Sequence, residues 1–235
     1  MRQRKIKNVE EKIAAYERWL VRDPEEARGR WRERFGCAGS GDGGSAPSEA
    51  GSEARKRLYL EIGAGKGQFI TRMALNDPGA LFVAAEGLAS IVYRALEKAD
   101  ELGPENLLFI PEYLNGTRAA FAPGELDGVF LNFSDPWPKA RNSKRRLTHA
   151  ERLASYAESL APGGFIKIKT DNDELFDFTL EQAENCMEAA GLTIAAVTRD
   201  LHSSPFAEGY QTTEYEDKFI AAGKNINYLE LRKTI

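Results

Sequence analysis

The chain has 235 residues, of which 42% are hydrophobic, and a formal net charge of −4. That length admits one large α/β domain or two small ones with a proper core, and the negative balance means that any polyanion site is a local patch. Cys37 and Cys186 stand far apart and the only histidines are His149 and His202, so a zinc site is not expected.

The N-terminus, MRQRKIKNVEEK, is basic but no apolar run follows it, so no signal peptide is read. No stretch approaches the roughly 20 apolar residues of a membrane span, and a soluble cytoplasmic protein is the expectation. Residues 1–35 read as a basic arm with two short helical stretches, where Ile13, Tyr16 and Leu20 recur at helical spacing. Residues 36–54 form a Gly/Ser/Ala linker whose composition cannot build a core. From residue 55 to 235 the chain reads as one domain of alternating strand and helix. Strands are expected at 57–62, 80–85, 106–110, 126–132, 164–170, 193–198 and 217–222, with helices at 66–76, 88–102, 148–160 and 172–190. In the last helix Phe176, Leu180, Ala183, Met187 and Ala190 make one apolar stripe. Such alternation implies a mainly parallel sheet covered on both faces, with ligands at the C-terminal ends of its strands.

The first strand runs into LYLEIGAGKGQF, where Glu61 precedes Gly63, Gly65 and Gly67 and a helix follows. Glycines here permit a tight turn and let a ligand approach the backbone. The spacing is G-x-G-x-G after an acid, not the G-x-G-x-x-G of dinucleotide binders. A pyrophosphate is disfavoured beside that carboxylate, whereas a cationic sulfonium with an amino-acid tail is not. Glu86 ends the second strand where an acid can accept hydrogen bonds from both ribose hydroxyls. After the third strand, Glu112 or Asn115 is placed to meet an adenine amino group, and Tyr113 could stack.

Residues 132–146, NFSDPWPKARNSKRR, follow the fourth strand. They combine Asp135, a rigid Pro136-Trp137-Pro138 turn and five cations in eight residues: Lys139, Arg141, Lys144, Arg145 and Arg146. A carboxylate at a strand end beside clustered cations can hold a nucleobase while phosphates are gripped. The run also precedes a helix N-terminus, a second feature that favours phosphate contact. Arg2, Arg4, Lys5 and Lys7 form a second basic patch that could fold onto RNA.

The segments LEIGAGKGQFI, the AAEG strand end, NFSDPWPKARNSKRRL, KTDNDELFDF and TTEYEDKF resemble the bacterial tRNA (guanine-N7-)-methyltransferases. The Asp-Pro-Trp-x-Lys-x-Arg-x-x-Lys-Arg-Arg run is the most specific of them. The resemblance implies a Rossmann-like class I methyltransferase: a mainly parallel seven-stranded sheet, helices on both faces and an antiparallel last strand. It also implies S-adenosylmethionine as cofactor, with Asp135 reaching it as well, and as partner a tRNA methylated on a variable-loop guanosine. No membrane partner is expected, and the expected state is a monomer or homodimer. Asp135 is the first choice for accepting hydrogen bonds from the guanine edge and favouring the cationic product electrostatically. Asp171 is the second carboxylate, although Asp-Asn-Asp-Glu174 is also a helix N-cap signature. Thr213, Glu214, Tyr215 and Glu216 complete the base pocket, with Tyr215 as a stacking wall. Three departures stand out: the Gly/Ser linker before the first strand is longer than the family leads one to expect, the family's usual Asp-Ala after the third strand is replaced by Glu-Tyr-Leu-Asn, and Pro138 stands where many relatives have histidine.

Thr148 with Glu151 reads as a capping box, His149 as a surface residue, and His202 has no assigned role. Other classes are an exocyclic-amine methyltransferase, a nicotinamide-dependent oxidoreductase and a non-catalytic RNA binder. Trp137 between the two prolines, the glycine spacing, and the intact Glu61, Glu86 and Asp135 count against each in turn.

Overall fold

The computed structural model describes residues 6–37, 55–207, 212–213, 216–217, 219 and 223–234. Among these, seven strands form one sheet: β1 (Leu58–Ile62), β2 (Leu81–Ala85), β3 (Leu107–Ile110), β4 (Leu126–Asn132), β5 (Leu160–Thr170), β6 (Leu192–Thr198) and β7 (Asn227–Lys233). Their order is β3-β2-β1-β4-β5-β7-β6. Strands β1 to β5 pair in parallel, and β7 inserts antiparallel between β5 and β6. The helices are α1 (Val9–Ala14), α2 (Pro24–Ala27), α3 (Trp31–Cys37), α4 (Gln68–Asn76), α5 (Ala89–Leu102), α6 (Ala150–Ser159) and α7 (Asp173–Ala190). No helix of the described residues is long and apolar enough to cross a membrane.

Every residue of β1, β2 and β3 is buried, as parallel strands covered on both faces require. Strand alternation sorts the apolar side chains into two cores. Leu58, Leu60 and Ile62 pack with Leu153 and Tyr156 of α6 and Phe176 of α7. Tyr59, Phe82 and Phe130 pack with Ile70 of α4 and Val92 and Leu96 of α5. The stripe expected on α7 faces the first core along its whole length.

The last strand differs from expectation. It lies at Asn227–Lys233, not at 217–222, and Glu216, Asp217 and Phe219 are helical. The cause is a capping box at Thr213 and Glu216. The Glu216 amide donates to Thr213 Oγ1 at 3.0 Å, and the Thr213 amide donates to Glu216 Oε2 at 3.2 Å. The capping box expected at Thr148 does not form. Thr148 is buried and accepts a 2.9 Å bond from Thr179 Oγ1, while His149 caps α6 through its ring nitrogen.

The N-terminal segment is also more broken than its spacing suggests. Ile13 lies in α1, but Leu20 is extended and bridges Phe109 of β3. Trp31 is 0% exposed, stacks on Phe121 at 4.9 Å and donates its indole N–H to Ala120 O at 2.7 Å. The buried Glu125 carboxylate accepts the backbone N–H groups of Gly29, Trp31 and Ala122. Segment 6–37 thus shares the core of the sheet. Trp31→Ala is expected to cost about 3–5 kcal/mol. Urea unfolding measures it, and a loss under about 1 kcal/mol would mean that the segment packs only peripherally.

Candidate active site

The C-terminal ends of β2, β1, β4 and β5 lie side by side; Glu61 is the penultimate residue of β1, and Glu86, Asp135 and Asp171 follow β2, β4 and β5. The loop after β1 is tied to β2, since the Gly63 and Ala64 amides both donate to Ala85 O. Gly67 has φ 72° and caps α4, and a Cβ there would come within 3.1 Å of Ala95 Cβ. This position therefore needs glycine on both conformational and packing grounds.

Glu61 is buried in β1, just before that loop. Asn132 Nδ2 donates to its Oε1 at 2.8 Å, and Oε2 has no hydrogen-bond partner. Burial pushes its carboxyl up to about 8, against the opposing pull of Asn132 and the Lys169 ammonium. Glu86 is held by the Gly65 amide at 3.1 Å and the Leu88 amide at 2.9 Å. Burial raises its pKa, the backbone donors oppose this, and the nearby Asp135 adds to the rise.

Tyr113 is 70% exposed, yet its ring lies directly over Gly87, where a Cβ would meet it at 2.3 Å. Burial raises its hydroxyl pKa, with the charges of Glu86 and Asp135 adding to the effect. The ring thus stands next to the Glu86-Gly87 segment that ends β2. Glu112 and Asn115 are exposed, and Asn115 Oδ1 accepts from Arg152 of α6 at 3.3 Å.

Asp135 is exposed on the turn after β4. Phe133 (φ 50°) and Trp137 (φ 41°) flank it in the left-handed region, a conformation that costs roughly 1–2 kcal/mol each for such residues. The Phe133 amide donates to Lys169 O at 2.8 Å, which anchors the turn to β5. The cationic run continues as a 3-10 turn, Ala140–Arg145. Lys139, Arg141, Lys144 and Arg145 are exposed, with the Arg145 guanidinium 4.9 Å over the Trp137 ring. Arg146 is half-buried and points inward.

Asp171 does not cap α7. Asn172 does, accepting from the Leu175 amide at 2.7 Å, and Asp171 pairs with Lys224 Nζ at 2.5 Å. Glu216 is fully buried. Its Oε2 meets Lys169 Nζ at 2.5 Å, and His202 Nε2 lies 3.4 Å from its Oε1 in ion-pair range without a hydrogen bond. Thr213 adjoins it through the capping box. Glu214, Tyr215, Arg2, Arg4 and Lys5 fall outside the described residues.

Residues 55–229 match a family model described as a putative methyltransferase. The tRNA (guanine-N(7)-)-methyltransferase of Lachnoclostridium phytofermentans is 41% identical over 97% of this chain and 97% of its own length. That of Geobacillus kaustophilus is 40% identical over 96% of this chain and 94% of its own. The chain belongs to the tRNA (guanine-N7-)-methyltransferase family. Among solved structures, the 16S rRNA methyltransferase KamB superposes with a TM-score of 0.57 at 15% identity, covering 77% of this chain and 89% of that one. This second likeness concerns the class I methyltransferase fold alone.

Sequence reasoning about this tRNA (guanine-N7-)-methyltransferase missed Asn132, Lys169 and the place of His202. A signal existed for Lys169: it stands in FIKIKT, a lysine in a central strand that has no solvent face to offer. Asn132, the last residue of β4, carried none.

The Glu61 environment yields a pH test. A carboxyl raised from 4.5 to about 8 stabilises the fold below pH 4.5, and that contribution is lost as pH rises towards 8. Glu61→Gln removes the penalty of the ionised form. Its melting temperature is expected to exceed that of the native protein by roughly 5 °C at pH 9, with the gap closing by pH 5. An equal gap at both pH values would show that Glu61 does not titrate in this window.

Proposed function

We propose a division of roles among these residues in an enzyme that is an S-adenosylmethionine-dependent tRNA (guanine-N7-)-methyltransferase. The cofactor supplies an electrophilic methyl group on a sulfonium. The residues present fit it. Glu61 keeps one buried carboxylate oxygen without a partner, suited to an ammonium. Glu86 sits where two ribose hydroxyls could be accepted. The glycine loop leaves backbone room between them, and Tyr113 with Glu112 or Asn115 borders the adenine end.

Guanine N7 carries a lone pair and no proton, so the chain need not supply a general base. What it must supply is alignment of the base and stabilisation of the charge that develops on the purine. Asp135 takes the guanine edge and opposes that charge. Glu216, held with one oxygen on Lys169, and Thr213 border the base. Asp171 is the further substrate contact from the end of β5. Lys139, Arg141, Lys144 and Arg145 face solvent and grip phosphates flanking a variable-loop guanosine. The observation that carries the reading is the row of acids at adjacent strand ends, with the Tyr113 ring over Gly87 beside Glu86.

Two measurements test it. Asp135→Asn is expected to lower methyl transfer at least roughly 100-fold while S-adenosylhomocysteine binding stays near native. The labelled product should be 7-methylguanosine at one variable-loop position, and label in another nucleoside overturns the base pocket. Replacing Arg141 and Lys144 together with alanine is expected to weaken tRNA binding. It should also flatten the slope of log Kd against log salt by about 1.4–1.8, and an unchanged slope removes these residues from the phosphate contacts.

A further inference from the structure

Arg146 belongs to the cationic run by sequence and departs from it in space. Its Nε donates to Pro136 O at 2.9 Å, and its Nη2 donates to Trp137 O at 3.2 Å. Its guanidinium lies 4.2 Å over the ring of Phe178 on α7. The backbone of Arg146 is fixed too: its amide donates to Ser143 O at 3.0 Å, and its carbonyl accepts from the His149 amide at the start of α6. The planar fork therefore faces two consecutive carbonyls of the Asp135 turn, and its flat face covers an aromatic ring. That geometry is specific to arginine, since a lysine ammonium offers neither the fork nor the stacking plane.

The carbonyls it holds are the two that follow Asp135, and one of them belongs to Trp137 with its positive φ. A bulky residue stays in that region only where its surroundings over-determine it. Arg146 supplies part of that constraint. It also docks the turn onto α7, the helix that begins two residues after Asp171. One side chain thus sets the Asp135 turn relative to the segment that carries the second substrate acid.

We propose that Arg146 is a positioning residue for methyl transfer, clamping the Pro136–Trp137 carbonyls to Phe178 so that Asp135 is held in its working place, and that it is not one of the phosphate contacts. The inference rests on the reading of Asp135 given above.

The experiment compares Arg146→Lys, Arg146→Ala and Arg141→Ala in the full chain. Turnover is measured at saturating tRNA and S-adenosylmethionine, and tRNA affinity is measured across a salt series. Arg146→Lys keeps the charge and loses the fork. Its kcat is expected to fall at least roughly 10-fold, as misplaced catalytic geometry does. Arg146→Ala is expected to keep the native salt slope within about 0.3, whereas Arg141→Ala flattens it by about 0.7–0.9. A native kcat in Arg146→Lys overturns the proposal, and so does a slope in Arg146→Ala that flattens as much as in Arg141→Ala. If the alanine variant fails to fold, the lysine variant decides alone. Asp135→Asn separates the two readings. Full activity there removes Asp135 from the chemistry whatever Arg146 does. An inactive Asp135→Asn beside a fully active Arg146→Lys removes only the clamp.

Discussion

Burying an ammonium costs several kcal/mol unless an anion meets it, and Lys169 of β5 is 1% exposed. It is compensated by Glu216 at 2.5 Å and lies within the field of Glu61. Much of the site hangs on this arrangement. Thr213 and Glu216 come from beyond β6, and the ion pair ties Glu216 to the end of β5. The Lys169 carbonyl anchors Phe133 at the entry to the Asp135 turn, and the Phe133 ring in turn packs 5.8 Å from Phe219. One lysine therefore ties the end of β5 to the acid of β1, to the turn after β4 and to the loop before β7. Burial lowers its pKa while Glu216 and Glu61 oppose the shift.

The cationic run divides by depth. Lys139, Arg141, Lys144 and Arg145 look outward from a short 3-10 turn, where their charge is available to a backbone and screened by salt. Arg146, one residue on, is withdrawn into the protein. The boundary follows from the local backbone. The 3-10 turn ends at Arg145, and Arg146 is extended (φ −62°, ψ 132°), which swings its side chain to the opposite side. Charge counting along a sequence cannot see that reversal. This is why a run of five cations in an acidic chain need not mean five phosphate contacts.

Much of the fold was legible because parallel strands buried on both faces leave continuous apolar runs, and β1 to β4 sit within a residue of expectation. The end of the chain was not, and the reason is local. Phe219 and its apolar neighbours look like a strand core, but Thr213-x-x-Glu216 starts a helical turn, and the true strand alternates Leu229 and Leu231 with Tyr228, Glu230 and Arg232 further on. The same motif rule misled at Thr148, whose hydroxyl is claimed by Thr179 of α7, a partner 31 residues away. In the site, glycines and strand-end acids announce themselves by spacing. Asn132 and Lys169 act through tertiary neighbours and have no spacing to announce.

Four carboxylates stand at the ends of four adjacent strands, and their surroundings set them apart more than their positions do. Glu61 is enclosed, half-satisfied and inclined to hold its proton, so a cation arriving at its free oxygen would both ionise it and relieve an unsatisfied buried atom. Glu86 is kept in place by backbone N–H groups of the loops on either side. Asp171 is matched to Lys224 and so is neutralised until a substrate competes for it. Asp135 alone of the four is exposed, on a turn whose backbone is held from behind by Arg146 and Phe133. In the role proposed for Asp135, a carboxylate carried on a held turn opposes the positive charge that develops on the base without first having to be oriented. Environment, more than residue type, distinguishes the four acids.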